Sequence, residues 1–140
     1  MLYALIFILI LFAVVFYLEK ANSTETGSTP LEKDYTTAKS FVEKEKSTIL
    51  DLEGQSFEKK EQRLLASKER IQNFETPKSF SGLHNELFLK YKNGMIQAID
   101  KQLQNPTIDY ATLEKEIGQA VAFWTVLEMY ILEDLHLYNK

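Results

Sequence analysis

The first eighteen residues, MLYALIFILILFAVVFYL, are all apolar or aromatic, and none carries a charged side chain. As a helix rising about 1.5 Å per residue they would reach roughly 27 Å, close to the hydrocarbon thickness of a bilayer. Backbone in lipid must satisfy its own hydrogen bonds, so the run predicts a single transmembrane helix over 1–18. The competing reading is a cleavable signal, with Ala21 and Ser23 as the small residues before a cut after Ser23. The run is long for a signal core, and no basic side chain precedes it, which favours an uncleaved anchor. Glu19, Glu25, Glu32 and Asp34 accompany Lys20 and Lys33 downstream, so no basic cluster holds that side in the cytoplasm. The expectation is a single-pass protein of the cell membrane with its downstream domain outside the cytoplasm. Tyr3 and Tyr17 would sit near the two interfaces.

Glu19–Thr29, EKANSTETGST, shows no apolar period and is rich in Ser, Thr, Asn and Gly, so it reads as a flexible linker. Residues 30–140 then form one soluble domain. The chain has a net charge of −4, and all of its ionisable side chains follow residue 18. This mild acidity, with no basic stripe interleaved by aromatics, argues against nucleic acid as a partner. Lys59, Lys60 and Arg63 are diluted by Glu58 and Glu61 and read as a solvated helix face. There is no Cys, which rules out a lipidated cysteine and leaves the redox compartment open.

Four helical patterns follow. Thr29, Pro30 and Glu32 make a helix start with a capping box. Leu31, Tyr35, Ala38, Phe41/Val42, Ile49 and Leu52 keep helical spacing, with one gap near Glu45. Leu50, Phe57, Leu64 and Ile71 recur every seven residues. As one helix, Pro30–Phe74 would be about 68 Å long, far longer than the helices after it. A break at Glu53-Gly54-Gln55 resolves this, because Gly ends a helix at little cost. The alternative is a continuous helix that projects beyond the bundle or pairs with a second chain. Ser79 or Ser81 should cap a third helix running to about Gln104, where Asn105-Pro106 stops it. A fourth starts near Thr107 or Asp109. Between Ala120 and Leu132 it is apolar on nearly every side, a run too short to span a membrane. That pattern predicts a central helix with neighbours on both flanks. The predicted fold is all-α: an N-terminal transmembrane helix followed by an antiparallel four-helix bundle. Ile49-Leu50, Leu64-Leu65, Tyr91, Met95, Trp124 and Leu127 should be buried together.

Thr76-Pro77-Lys78-Ser79-Phe80-Ser81-Gly82-Leu83-His84, followed by Tyr91 on an apolar helix, resembles a pattern in uncharacterised bacterial envelope proteins, many of them lipoproteins. There a helix ends in Pro, an aromatic or Leu follows three residues on, and a His comes four later. The resemblance covers about residues 30–135. It implies a cell-envelope helical bundle with no agreed biochemical activity. This chain departs from it by carrying an apolar N-terminal run in place of a lipidated Cys.

Chemistry finds little footing. No Gly-x-Ser-x-Gly elbow, phosphate-cradling loop or cysteine nucleophile is present. Glu133-x-x-His136 has the spacing of one half of a di-iron ligand set, but its only possible counterpart, His84, is preceded by Ser81 instead of a carboxylate. No catalytic residue, cofactor or metal is therefore expected. His84 lies on the inward stripe of the third helix, and with Tyr91 and Trp124 it marks a candidate ligand or partner pocket. The expected function is a non-catalytic adaptor that binds another protein at the envelope. A lipid- or metal-binding bundle is the first alternative, and a coiled-coil oligomerisation stalk is the second.

Overall fold

Apolar spacing, proline and glycine set the boundaries of the elements. The computed structural model describes the backbone of residues 2–25, 29–107 and 109–138, and the side chains of 3, 4, 6–15, 29–107 and 109–136. Every regular element among them is an α-helix: α1 (Leu2–Glu25), α2 (Pro30–Leu50), α3 (Phe57–Asn73), α4 (Leu83–Gln104) and α5 (Tyr110–Tyr138). The chain divides into two compact units, residues 1–30 and 31–140.

The first unit contains α1. Its described apolar side chains, Tyr3 and Ile6 to Val15 among them, are exposed. Among the described residues no helix is long and apolar enough to cross a membrane. This corrects the expected transmembrane helix over 1–18, and with it the single-pass placement in the cell membrane. The described side chains of α1 run from Tyr3 to Val15, which is about 20 Å of helix against a hydrocarbon core of about 30 Å. The helix also continues past Leu18 through the sequence Glu19-Lys20-Ala21-Asn22-Ser23-Thr24-Glu25. The first part of the expected linker is therefore helical. Residues 26–28 and the side chain of Tyr17 lie outside the described residues.

The second unit is an antiparallel four-helix bundle. Helix α2 starts at Pro30, as its cap signal predicts, and ends at Leu50. Gly54, at φ 78°, turns the chain in a left-handed conformation that a side chain would strain. The break expected at Glu53-Gly54-Gln55 is thus present, and a continuous stalk over Pro30–Phe74 is not. Helix α4 begins at Leu83, two residues after Ser81 and four after Ser79, the two expected caps. Its N-cap is Gly82, at φ 54°, and no side chain supplies a cap bond. The backbone N–H of Ser79 instead donates to Asp34 Oδ2 of α2 at 3.0 Å. Asp109 caps α5 by accepting from the N–H and hydroxyl of Thr112, and these bonds hold its carboxyl below the usual range.

Polar contacts set the order and direction of the four helices. Tyr35 and Leu50, at the two ends of α2, meet Glu128 and Tyr110 of α5. Glu45 of α2 meets Ser67 and Arg70 of α3. Lys68 of α3 reaches Asp100 of α4, and Lys92 of α4 donates to the Phe74 carbonyl just past the end of α3. Lys101 and His84 of α4 pair with Glu116 and Asp134 of α5. Each helix is therefore antiparallel to its two neighbours, in the ring α2–α3–α4–α5. Helices α4 and α5 pack tightly at Gly94, where an added Cβ would lie 2.9 Å from Ala120 Cβ.

One continuous core fills the ring, with Ile49, Leu64, Ile71, Phe88, Tyr91, Met95, Trp124 and Leu127 among its members. Two expected members differ. Leu50 is half-buried, and Leu65 is 50 % exposed. Leu64 and Leu65 are adjacent, hence about 100° apart around α3, and only Leu64 faces inward. Helix α5 is not central either. A ring of four has no middle position, so the apolar run Ala120–Leu132 keeps an outward face.

Candidate functional site

His84, Tyr91 and Trp124 come from two helices; Tyr91 and Trp124 meet at the Phe88 ring, and His84 joins them only through Phe80. Trp124 packs edge-on to Phe88 with centroids 6.4 Å apart, and Tyr91 tilts against it at 5.9 Å. Phe80 packs edge-on between Phe88 and His84, at 5.7 and 6.0 Å. Tyr35 of α2 stacks on Trp124, and Phe74 closes the other side. His84, Tyr91 and Trp124 are 9 %, 0 % and 4 % exposed. The helical periodicity places these rings on inward stripes, and each such contact adds modestly to the apolar area it buries.

Two polar groups are embedded in this core. His84 Nε2 lies 2.9 Å from Asp134 Oδ2 of α5. This partner comes from another helix, fifty positions downstream in the chain. Asp134 sits inside the Glu133-x-x-His136 segment, whose His136 is exposed. Among the described residues no group of three His, Cys, Asp or Glu could hold a metal ion.

The second group was not anticipated. Glu45 is fully buried, at the gap in the apolar spacing of α2. Arg70 grips its carboxylate with two bonds, Nε to Oε1 at 2.6 Å and Nη2 to Oε2 at 3.1 Å. The Ser67 hydroxyl, also fully buried, donates to Oε2. The bonds to Glu45 in turn push the Arg70 guanidinium above its ordinary value. Tyr91 faces the same region, and its hydroxyl has no hydrogen-bond partner among the described residues. Burial, and then the charge of Glu45, push that hydroxyl well above the ordinary tyrosine range. Periodicity flags Glu45 only as an interruption. The pairing with Arg70 spans 25 positions and has no local signature.

Between α4 and α5 a groove of about 280 Å³ lies beside Gly94 and Gln119, and the Lys101–Glu116 ion pair borders it. The outward side of α5 next to it is apolar. Phe123, Val126, Met129, Tyr130 and Leu132 are 38 to 66 % exposed. The Lys90 ammonium lies 5.8 Å from the centroid of the Phe123 ring at the edge of that patch. Compared with family models, curated proteins and solved structures, the chain matches none.

Proposed function

We propose that residues 30–140 act as a non-catalytic binding module that docks a protein partner on the outer face of α5. The observation that carries this reading is the exposed set Phe123, Val126, Met129, Tyr130 and Leu132 within ten residues of one helix. Single exposed apolar residues are ordinary, but a contiguous group of large ones costs solubility and marks an interaction surface. The groups that could carry chemistry are engaged inside the bundle: Glu45 by Arg70 and Ser67, and His84 by Asp134. A small-molecule pocket at His84, Tyr91 and Trp124 has less support, because neighbouring rings already fill the space around them.

The test is photo-crosslinking from a benzoylphenylalanine placed at Met129 of the full chain in the cells that make it, with exposed Lys46 on α2 as the control position. A discrete protein adduct from position 129 and not from 46 is expected. No adduct at 129, or equal adducts at both positions, overturns the reading.

A further inference from the structure

Six residues on the outward side of α5 are spaced four, three, four, three and four apart: Lys115, Gln119, Ala122, Val126, Met129 and Glu133. All six are exposed. This alternation is the a/d spacing of a coiled-coil seam, and it keeps one straight stripe in line along the helix. The stripe is about 27 Å long. Its centre is apolar and its two ends carry opposite charges. Among the described residues neither Lys115 nor Glu133 has an ion-pair partner within its own chain.

We propose that a second copy of this chain covers the stripe, with the two α5 helices antiparallel about a two-fold axis at the level of Trp124. This rests on the reading of the α5 outer face as the docking surface and names what docks there. The stripe is its own complement in that arrangement. Lys115 meets Glu133 of the other copy at both ends, Gln119 meets Met129, and Ala122 meets Val126. Every pairing sets an a position against a d position, the layering that antiparallel helices require. A two-fold interface uses the same patch twice, so a patch with opposite charges at equal distances from its midpoint attracts itself. A parallel alignment would set Lys115 against Lys115 and Glu133 against Glu133, and like charges oppose it. Phe123 and Tyr130 on one flank and Leu132 on the other widen the apolar contact.

The chain has no cysteine, so introduced ones report a single contact. Full-length Gln119→Cys and Met129→Cys chains, mixed and oxidised, are expected to give a disulfide-linked dimer, while either variant alone stays uncrosslinked. In the antiparallel pair two copies of residue 119 are ten residues apart along the axis, about 15 Å, whereas a disulfide needs Cα atoms within about 7 Å. Lys115→Glu should weaken self-association about tenfold in sedimentation, and adding Glu133→Lys should restore it. No disulfide in the mixture, equal crosslinking of the single variants, or no rescue by the second charge change overturns the proposal. A Met129 photo-adduct with a different protein also overturns it, while leaving the docking face itself supported.

Discussion

Two glycines in helices show how differently the same residue type is used. Gly94 faces α5, and a Cβ there would sit 2.9 Å from Ala120 Cβ and 3.3 Å from its Cα. Relief requires backbone movement, so Gly94→Ala should destabilise the bundle by about 1–3 kcal/mol despite the better helix propensity of Ala. Gly118 has open space around its Cβ position. There the propensity gain stands alone, and Gly118→Ala should stabilise by about 0.5–1 kcal/mol. Chemical denaturation of the two variants checks the opposite signs. Both glycines are equally visible in the sequence, and both interrupt otherwise good helices. Which of them is a packing device depends on a neighbour 26 positions from Gly94, so the sequence pattern does not distinguish them.

At the scale of elements, α2 and α3 are joined by a turn and fastened by a charge. The Glu45–Arg70 pair is lopsided: the carboxylate is 1 % exposed and the guanidinium 41 %. Removing the exposed partner leaves a buried charge with only Ser67 to answer it. Arg70→Ala should therefore cost about 2–3 kcal/mol, below the loss for a fully buried pair because water can reach part of the vacated site. Adding Glu45→Leu should recover most of the loss, since the costly group is then gone. A thermodynamic cycle over the two single variants and the double variant reads this directly. The elements themselves were largely legible beforehand, because spacing, Pro30, Gly54 and Asn105-Pro106 act within a turn or two of where they lie. The charge that fastens two of them was not legible, because Glu45 and Arg70 come together only once both helices have folded and docked. His84 and Asp134 make the same point over fifty positions.

At the scale of the whole molecule, every member of the buried core among the described residues falls between Ala38 and Ile131. These members all lie in the second unit. A chain of residues 29–140, which keeps the start of α2, should melt in one cooperative transition with the helical circular dichroism of a four-helix bundle. A broad, non-cooperative melt would mean that the bundle does not fold on its own. The sequence by itself determined that the described part of residues 30–140 forms four helices, roughly where they start and stop, and which stripes turn inward, because hydrogen bonding and side-chain spacing along a helix are local. Two of the differences depend on surroundings. The apolar N-terminal run promised a membrane span, whereas the described helix there does not reach that length of apolar surface. The all-round apolar run in α5 promised a central helix, whereas a ring of four gives each helix two neighbours and leaves one side facing out. Tertiary structure alone decided which carboxylate meets which base and which apolar side chains stay uncovered, because those outcomes depend on distances between segments far apart in the chain.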